Sequence, residues 1–375
     1  MIALGHVSAY SRAAPIPLGI TIYDIARRAG VSIATVSRVF SGRTHVADAT
    51  RERVFAVARE LGYRPNVSAR SLARQRTRVV AAVVPMLTSY FFMEVIRGVQ
   101  DRLSELDYDL LVYASRAPEA IDDQLGRALQ RGRADGVLLC STPLTDAREA
   151  MLRSSGLPVV LVDSAHPDFD SVAVNNRAGG YDATQHLLEQ GYRRIAHIAP
   201  NPISVPGVER CEGYKAALRD AGRTVDEALV VTSSDMEQHG YTREAGYAAM
   251  RQLLARRRRP DAVFAASDVQ ALGALRAIRD AGLDVPDDVA LVGFDNIRTS
   301  AYVGLSTLSQ PMYEMGRAAI NKLTRRIAEP ERTASRTTFS ARLLVRETSV
   351  DAARRADAPR AADAPRSVPT EPGAA

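Results

Sequence analysis

The chain of 375 residues is long enough for two or three domains with their own hydrophobic cores, and its 46% apolar and 25% charged residues are ordinary for a soluble protein. No apolar run reaches the roughly 18–20 residues of a membrane span, the first 19 residues lack a secretory signal, and two cysteines cannot build a disulfide framework. We therefore expect a cytoplasmic protein with no membrane partner. The net charge of +6 is unevenly spread, because residues 1–78 carry 13 arginines and four acidic residues and the remainder carries −3.

A basic N-terminal segment on a mildly acidic body is typical of a nucleic-acid-binding module joined to another domain, although a solvated basic surface would give the same balance. After a disordered leader at 1–19, three short helices are predicted. The segment "TIYDIARRAG" has apolar residues at helical spacing and stops at Gly30. "SIATVSRVF" follows with Ser32 as its N-cap, and "DATRERVFAVARELG" has one apolar face and stops at Gly62.

The first two helices fit a helix-turn-helix. Ala26 is the small residue where the helices cross, Gly30 supplies the turn, and apolar residues seal the pair. The outward residues of the second helix would be Ser32, Ile33, Ala34, Thr35, Ser37 and Arg38. Hydroxyls suit phosphate contacts, and small apolar groups suit base edges and thymine methyls. An ordinary helical hairpin is the alternative, but the charge and spacing favour DNA binding.

Residues 64–78 are Arg-rich and too short to hold an isolated helix, so they are predicted to form a linker. From Val79 apolar runs alternate with amphipathic stretches of helix length. Such runs are typical of buried parallel strands in α/β layers. The runs are "VVAAVVP", "YDLLVYA", "DGVLLC", "LPVVLVD", "RIAHIAP", "DAVFAAS" and "DVALVGFD". Residues 349–375 are rich in Ala, Pro and Arg and are predicted to be a disordered tail.

Three of the predicted strands end in an acidic residue: Asp163, Asp268 and Asp295. Parallel sheets bind ligands beyond the carboxyl ends of their strands, and carboxylates accept paired hydrogen bonds from vicinal hydroxyls. Asp268 directly precedes a predicted helix, so helix capping is an equal alternative for it. No obvious helix follows Asp295, which favours ligand contact there. The basic run Arg256–Arg259 is interpreted as solvated surface at a helix end.

Stretches from both parts of the chain together resemble one family. "TIYDIARRAGVSIATVSRVFSG", "HLLEQGYRRIAHIAP", "PDAVFAASDVQALGALRAIRDAG" and "VPDDVALVGFD" follow one another as in the lactose-repressor/galactose-repressor family of bacterial transcription regulators. The resemblance implies an α/β protein with an N-terminal all-α helix-turn-helix headpiece (20–65) and a hinge helix and linker (66–77). A two-lobed, parallel-sheet effector-binding and dimerisation domain (78–348) follows, similar to periplasmic sugar-binding proteins. Its N-lobe would take about 78–174 and 311–337, and its C-lobe about 175–310 and 338–348.

The resemblance also assigns residues to DNA. Ile33 and Ala34 match positions that discriminate bases, and Arg38 matches one that reaches base or phosphate. Leu72 matches an apolar lever that enters the minor groove at a kinked step, the alternative being an anchor against its own headpiece. Paired hinges imply a homodimer on a pseudopalindromic operator. The full set is Thr21, Tyr23, Ser32, Ile33, Ala34, Thr35, Ser37, Arg38, Asn66, Ala69 and Leu72.

A second set matches effector-contacting positions: Phe92, Asp163, Arg210, Tyr241, Ser267, Asp295 and Gln310. Arg210 would offer a rigid donor fork, and the aromatic rings of Phe92 and Tyr241 would stack on ligand faces. Phe92 could equally be a core residue at a helix start. Ser267 stands where many relatives have Asn, and the stretch from Asp295 to Gln310 is shorter than in the lactose repressor. The resemblance therefore does not define the shape of that wall of the site or the identity of the ligand.

The favoured interpretation is a dimeric DNA-binding regulator, a repressor, whose operator affinity a sugar or sugar derivative controls. One alternative is a solute-binding protein of a transport system, which would need an export signal and has no use for residues 20–74. Another is a regulator that responds to a nucleoside or purine. Nucleotide-binding, hydrolase and zinc-protease motifs are missing, and the six histidines lack ligand spacing, so we expect no enzyme activity, metal or cofactor.

Overall fold

A computed structural model describes residues 20–41, 46–63, 76–114, 120–234 and 237–350. The chain divides into two compact units, Met1–Arg78 and Val79–Ala375. Within the described ranges no helix is both long and apolar enough to cross a bilayer. The hinge positions Asn66, Ala69 and Leu72, the leader and nearly all of the tail lie outside the described residues.

The first unit contains the three predicted helices. They are α1 (Ile22–Ala29), α2 (Ile33–Ser41) and α3 (Asp48–Glu60). Gly30 ends α1 with φ of +64°, a left-handed conformation that costs glycine little and permits the tight turn. Ser32 caps α2, since its Oγ accepts a hydrogen bond from the Thr35 N–H at 3.1 Å. The predicted turn and cap are therefore confirmed.

A small apolar core holds these helices together. Ile25, Val36 and Val54 are fully buried, one from each helix, and Ala26 is buried at the crossing of α1 and α2. A 2.6 Å ion pair between Arg28 and Glu60 joins α1 to α3 on the surface, where such pairs add little stability. Burial of the apolar seal leaves the opposite face of α2 exposed.

The second unit contains two six-stranded sheets. The strands are β1 (Val79–Val84), β2 (Asp109–Ala114), β3 (Gly136–Cys140), β4 (Val159–Val162), β5 (Asp170–Val174), β6 (Ile195–Ala199), β7 (Val230–Thr232), β8 (Ala262–Ala265), β9 (Ala290–Asp295), β10 (Ser306–Ser309), β11 (Arg336–Phe339) and β12 (Arg342–Leu344). The first sheet has the order β11-β5-β4-β3-β1-β2 and is entirely parallel. The second has the order β12-β10-β9-β8-β6-β7 and is parallel except for β12.

Helices cover these sheets and bury their aliphatic strands on both faces, as parallel sheets require. They are α4 (Tyr90–Glu105), α5 (Ile121–Ala128), α6 (Asp146–Ser155), α7 (Asn176–Glu189), α8 (Val205–Asp220), α9 (Arg243–Leu254), α10 (Asp268–Asp280), α11 (Arg298–Tyr302) and α12 (Met312–Ala328), with 3-10 turns at Glu227–Leu229 and Glu237–Gly240. The α/β fold class predicted from the alternating pattern is confirmed.

Helices α7 and α8 approach each other through glycine. A Cβ added to Gly180 would collide with the backbone carbonyl of Arg210, and one added to Gly213 would collide with that of Arg177. Only glycine permits so close a backbone approach. This close backbone contact fixes the position of Arg210, on α8, with respect to α7.

The structure corrects some details. Five strands, β5, β7, β10, β11 and β12, were not predicted. A short helix, α11, does follow Asp295, contrary to the expectation of none. Strand β11 continues to Phe339 in the first sheet, past the lobe boundary expected at 337. The chain thus passes between the sheets after β5, between β10 and α12, and again between β11 and β12.

Candidate functional site

The outer face of α2, together with Tyr23 of α1, presents residues predicted to contact DNA. Tyr23 is 61% exposed and Ile33 is 39% exposed, so both side chains are accessible to a partner. Ser32, Ala34, Ser37 and Arg38 are exposed as well, and Thr35 is half-buried. A basic, partly apolar helix face on a small stable core is suited to reading a major groove.

Two of these residues also stabilise helix ends. The Oγ and backbone N–H of Thr21 both donate to the Asp24 carboxylate, at 2.8 and 2.9 Å, so Thr21 begins α1. The Ser32 and Thr35 hydroxyls lie 2.9 Å apart at the start of α2. These contacts hold the polar groups at fixed positions on the surface of the headpiece.

The second unit contains a cavity of about 680 Å³ to which both sheets contribute. All seven residues predicted to contact an effector line it: Phe92, Asp163, Arg210, Tyr241, Ser267, Asp295 and Gln310. They come from seven separate places in the sequence, and the fold brings them together. Strands β4 and β9 deliver Asp163 and Asp295 at their carboxyl ends, as predicted for parallel sheets.

The backbone is strained at both carboxylates. Asp163 has φ of +59° and Asp295 has φ of +120°, values that residues other than glycine rarely adopt. Each such conformation costs on the order of 1–3 kcal/mol and persists where the surroundings enforce it, often at functional sites. Both strained residues line the cavity.

Arg210 is fixed on three sides. Its Nε donates to Asn176 Oδ1 at 3.0 Å, one terminal nitrogen donates to the Ala266 carbonyl at 2.6 Å, and its guanidinium lies 3.7 Å from the ring centroid of Phe294. The residue is only 4% exposed. That same terminal nitrogen is 4.0 Å from the Asp295 carboxylate. A buried guanidinium held in one plane can donate with defined geometry.

The two carboxylates have unusual proton affinities. Burial raises the pKa of Asp295 to about 7, and the nearby Arg210 only partly offsets this. Burial likewise raises the pKa of Asp163 to about 6, against the hydrogen bond that Ser141 Oγ donates at 2.6 Å. Gln310 Nε2 donates to Asp295 at 2.6 Å. Among the described residues, neither Asp163 Oδ1 nor Gln310 Oε1 has a hydrogen-bond partner, although both atoms are buried.

Three further predicted residues complete the lining. The Tyr241 hydroxyl is 2.8 Å from Ser204 Oγ, and burial raises the pKa of this phenol to about 12. Phe92 is buried in the core around the first sheet and also lines the cavity. Ser267 Oγ accepts from the Gln270 N–H at 3.2 Å and therefore caps α10 while it lines the cavity.

Asp268 does not line the cavity. It is fully buried and accepts hydrogen bonds from Ser300 Oγ and Thr307 Oγ1, each at 2.6 Å, and from the Ile297 N–H at 2.9 Å. The cap of α10 is Ser267, so the capping role considered for Asp268 is wrong. Asp268 instead fixes the segment after Asp295 that forms one wall of the cavity.

Sequence reasoning missed the residues that support the site. Asn176 holds Arg210, Ser141 holds Asp163 and Ser204 holds Tyr241. Asn176 follows β5, a strand that the sequence pattern did not predict. Elsewhere, Glu149, His166 and Asp168 come close enough for a metal, but Arg153 already pairs with both carboxylates, at 2.6 and 2.5 Å. We assign no metal site to this group.

Comparison with known proteins agrees with this architecture. Residues 21–66 match the model of the bacterial regulatory proteins of the lacI family, and residues 184–349 match a periplasmic binding protein-like domain. The ribose operon repressor of Escherichia coli (strain K12) is 37% identical over 315 residues, which cover 83% of this chain and 94% of that protein.

Two solved structures extend the likeness to the fold. The complex of transcriptional regulator CelR with cellobiose is 37% identical, with a TM-score of 0.67, and the match covers 88% of this chain and 99% of that one. The lac repressor dimer bound to operator and the anti-inducer ONPF is 26% identical over the same shares, with a TM-score of 0.78. From the matched headpiece, the two-sheet domain and 37% identity over most of the length of a named repressor, the chain belongs to the lacI family of bacterial regulatory proteins.

Proposed function

We propose that this protein is a homodimeric transcriptional repressor that binds a pseudopalindromic operator and is controlled by a carbohydrate effector. The observation that carries the proposal is the convergence of all seven predicted effector residues on one cavity in a chain that also has an exposed helix-turn-helix face. A transport protein would have no use for that face. The family relationship also favours the regulator over the solute-binding alternative.

The chemistry of the cavity favours a ligand rich in hydroxyl groups. Its lining includes two carboxylates and two buried acceptor atoms, Asp163 Oδ1 and Gln310 Oε1, that have no partner among the described residues. Buried acceptors are stabilised when a ligand supplies donors, and vicinal hydroxyls supply pairs of them. Phe92 and Tyr241 offer aromatic faces suited to sugar C–H groups. Relatives solved with cellobiose and ribose show that this family accommodates sugars.

On the DNA side, Ile33 and Ala34 would read base edges, and Arg38 would donate to a base or a phosphate. Thr21, Tyr23, Ser32, Thr35 and Ser37 would fix the register on the backbone. Asn66, Ala69 and Leu72 would complete the contact through the hinge. A two-fold dimer places two such faces on two half-sites, which explains why the operator should be pseudopalindromic.

The effector would act by preferring one arrangement of the two lobes. A ligand shifts such an equilibrium only by its difference in affinity for the two states. The resulting coupling free energy between a ligand site and a DNA site is typically about 1–3 kcal/mol. Because both sheets contribute to the cavity, closing it around a ligand would move one lobe relative to the other. The first-sheet lobe, which follows the hinge directly in the chain, would transmit that change to the paired hinges.

The test has two steps. Thermal melting is first measured with D-ribose, D-glucose, D-galactose, cellobiose, glucose 6-phosphate, gluconate, adenosine and guanine, because a ligand at a hundredfold excess over its Kd stabilises by about 2.7 kcal/mol. Operator duplexes are then selected from a randomised pool, and their affinity is measured with and without the stabilising compound. We expect a neutral sugar to stabilise the protein and to change operator affinity at least fivefold. The proposal would be contradicted if the protein selected no preferred duplex, or if no stabilising compound changed its affinity for the operator.

A further inference from the structure

A buried amide lies where the chain leaves the first sheet for the second. Asn176 is the first residue of α7, two positions after the end of β5, and is 3% exposed. Its neighbour Asn175 donates its backbone N–H to the Phe339 carbonyl at 2.8 Å, at the end of β11, another strand from which the chain crosses between the sheets. Asn176 therefore belongs to the crossover region that connects the two lobes.

Every polar atom of the Asn176 side chain is used. Its Oδ1 accepts from Arg210 Nε at 3.0 Å, and its Nδ2 donates to the Val174 carbonyl at 3.3 Å and to Glu209 Oε2 at 3.2 Å. One side chain thus joins the last residue of β5 to two consecutive residues of α8. This is more than a helix start needs, because the N-cap of α7 is Asn175, whose Oδ1 accepts from the Ala178 N–H at 3.0 Å.

The contact decides where the guanidinium of Arg210 points. The Ala266 carbonyl and the Phe294 ring constrain one edge and one face of the guanidinium, and Asn176 Oδ1 constrains the Nε edge. Without that acceptor a buried N–H would lose its partner, which is costly, and the guanidinium would turn towards Asp295, now 4.0 Å away. Arg210 would then neutralise the carboxylate instead of donating to a ligand.

We infer that Asn176 is a positioning residue for the effector site: it orients Arg210 for ligand hydroxyls and ties that orientation to the crossover between the lobes. The inference rests on the proposed function, since it concerns the same cavity. It assigns Asn176 no contact with the ligand. Its effect on ligand affinity passes entirely through Arg210.

The experiment uses the full chain and the sugar that gives the largest thermal shift among D-ribose, D-glucose, D-galactose and cellobiose. Asn176→Ala is expected to raise the Kd of that sugar about tenfold. Asn176→Leu, which keeps the branch at Cγ of Asn and removes its polar atoms, is measured beside it in case the smaller side chain prevents folding. Asn176→Asp keeps an accepting oxygen for Arg210 but loses the donors to Val174 and Glu209 and places a carboxylate beside Glu209. It should therefore lower the melting temperature while the sugar Kd stays within about threefold of the unmodified protein.

The matched control is Asn175→Ala, which removes an exposed cap from the same crossover. It should lower the melting temperature and change the sugar Kd less than twofold. Arg210→Lys lacks the Nε donor, so adding Asn176→Ala to that background should have little further effect, whereas independent roles would add. This separates positioning of Arg210 from a general loss of stability.

The outcomes are distinguishable. If the unmodified protein binds a sugar and Asn176→Ala or Asn176→Leu binds it equally well, the inference is overturned and the proposed function stands. Equal losses in the Asn175→Ala and Asn176→Ala variants, or failure of both Asn176→Ala and Asn176→Leu to fold, would mark the amide as structural and also overturn it. If no sugar binds the unmodified protein, the proposed effector class falls and this inference falls with it.

Discussion

Asp163 provides a direct test of the energetics of the cavity. Its carboxylate ends β4 with φ of +59°, and one of its oxygens has no hydrogen-bond partner among the described residues. Asp163→Asn keeps the size of the side chain and removes the charge. We expect the variant to be more stable than the unmodified protein at neutral pH and to bind effector more weakly.

The magnitude follows from the pKa. Burial raises the pKa of Asp163 from an ordinary 3.8 to about 6. One pKa unit is worth about 1.4 kcal/mol, so the ionised carboxylate destabilises the fold by up to about 3 kcal/mol above pH 6. The folded state binds the proton more tightly than the unfolded state does. Stability is therefore lost as pH rises from about 4 through 6, and the advantage of Asp163→Asn should grow over that interval.

Urea unfolding followed by far-ultraviolet circular dichroism at several pH values measures this difference; the chain has no Trp for fluorescence. The control is Asp168→Asn, which removes an exposed carboxylate whose ion pair with Arg153 lies at the surface. Its effect should be small, because ion pairs at the surface contribute little to stability. An Asp163→Asn variant that is less stable than the unmodified protein at pH 8, or whose advantage does not shrink towards pH 5, would refute the reasoning.

Three further outcomes are expected. Gly180→Ala should lower the free energy of unfolding of the second unit by about 1–3 kcal/mol in urea and weaken effector binding, because the added Cβ would collide with the carbonyl of Arg210. The control is Gly126→Ala, whose Cβ has room and which should be neutral or stabilising. Equal losses of stability in the two variants would contradict the close approach of the backbones at Gly180. Ile33→Ala should change the free energy of unfolding by less than about 0.5 kcal/mol but relax the base preference measured by selection from randomised duplexes. An unchanged base preference would show that Ile33 does not contact the bases. Effector binding should weaken up to about tenfold from pH 8 to pH 6 in a calorimetric titration, because ligand hydroxyls need the ionised form of Asp295, whose pKa is raised to about 7; a flat profile would argue against that contact.

Much of the architecture could be predicted from local sequence. The three headpiece helices form where periodicity, Ser32 and Gly30 place them, since caps and turns depend on neighbouring residues. Seven strands were predicted because buried parallel strands are continuous apolar runs. The five missed strands are short or polar. Three of them, β7, β11 and β12, are at sheet edges, and β5 and β10 contain the buried polar residues Ser171, Ser306 and Thr307.

The two-part organisation, the exposed face of α2 and the placement of Asp163 and Asp295 at strand ends can be predicted from the sequence, because each depends on residues close together in the chain. Which polar groups support one another depends instead on the packing of distant segments. Asp268 is satisfied by residues 29 to 39 positions away, and Arg210 is oriented by an amide 34 positions away. A hydrogen bond requires two groups within about 3 Å, and no local pattern records which distant residues the packing of helices and sheets brings that close.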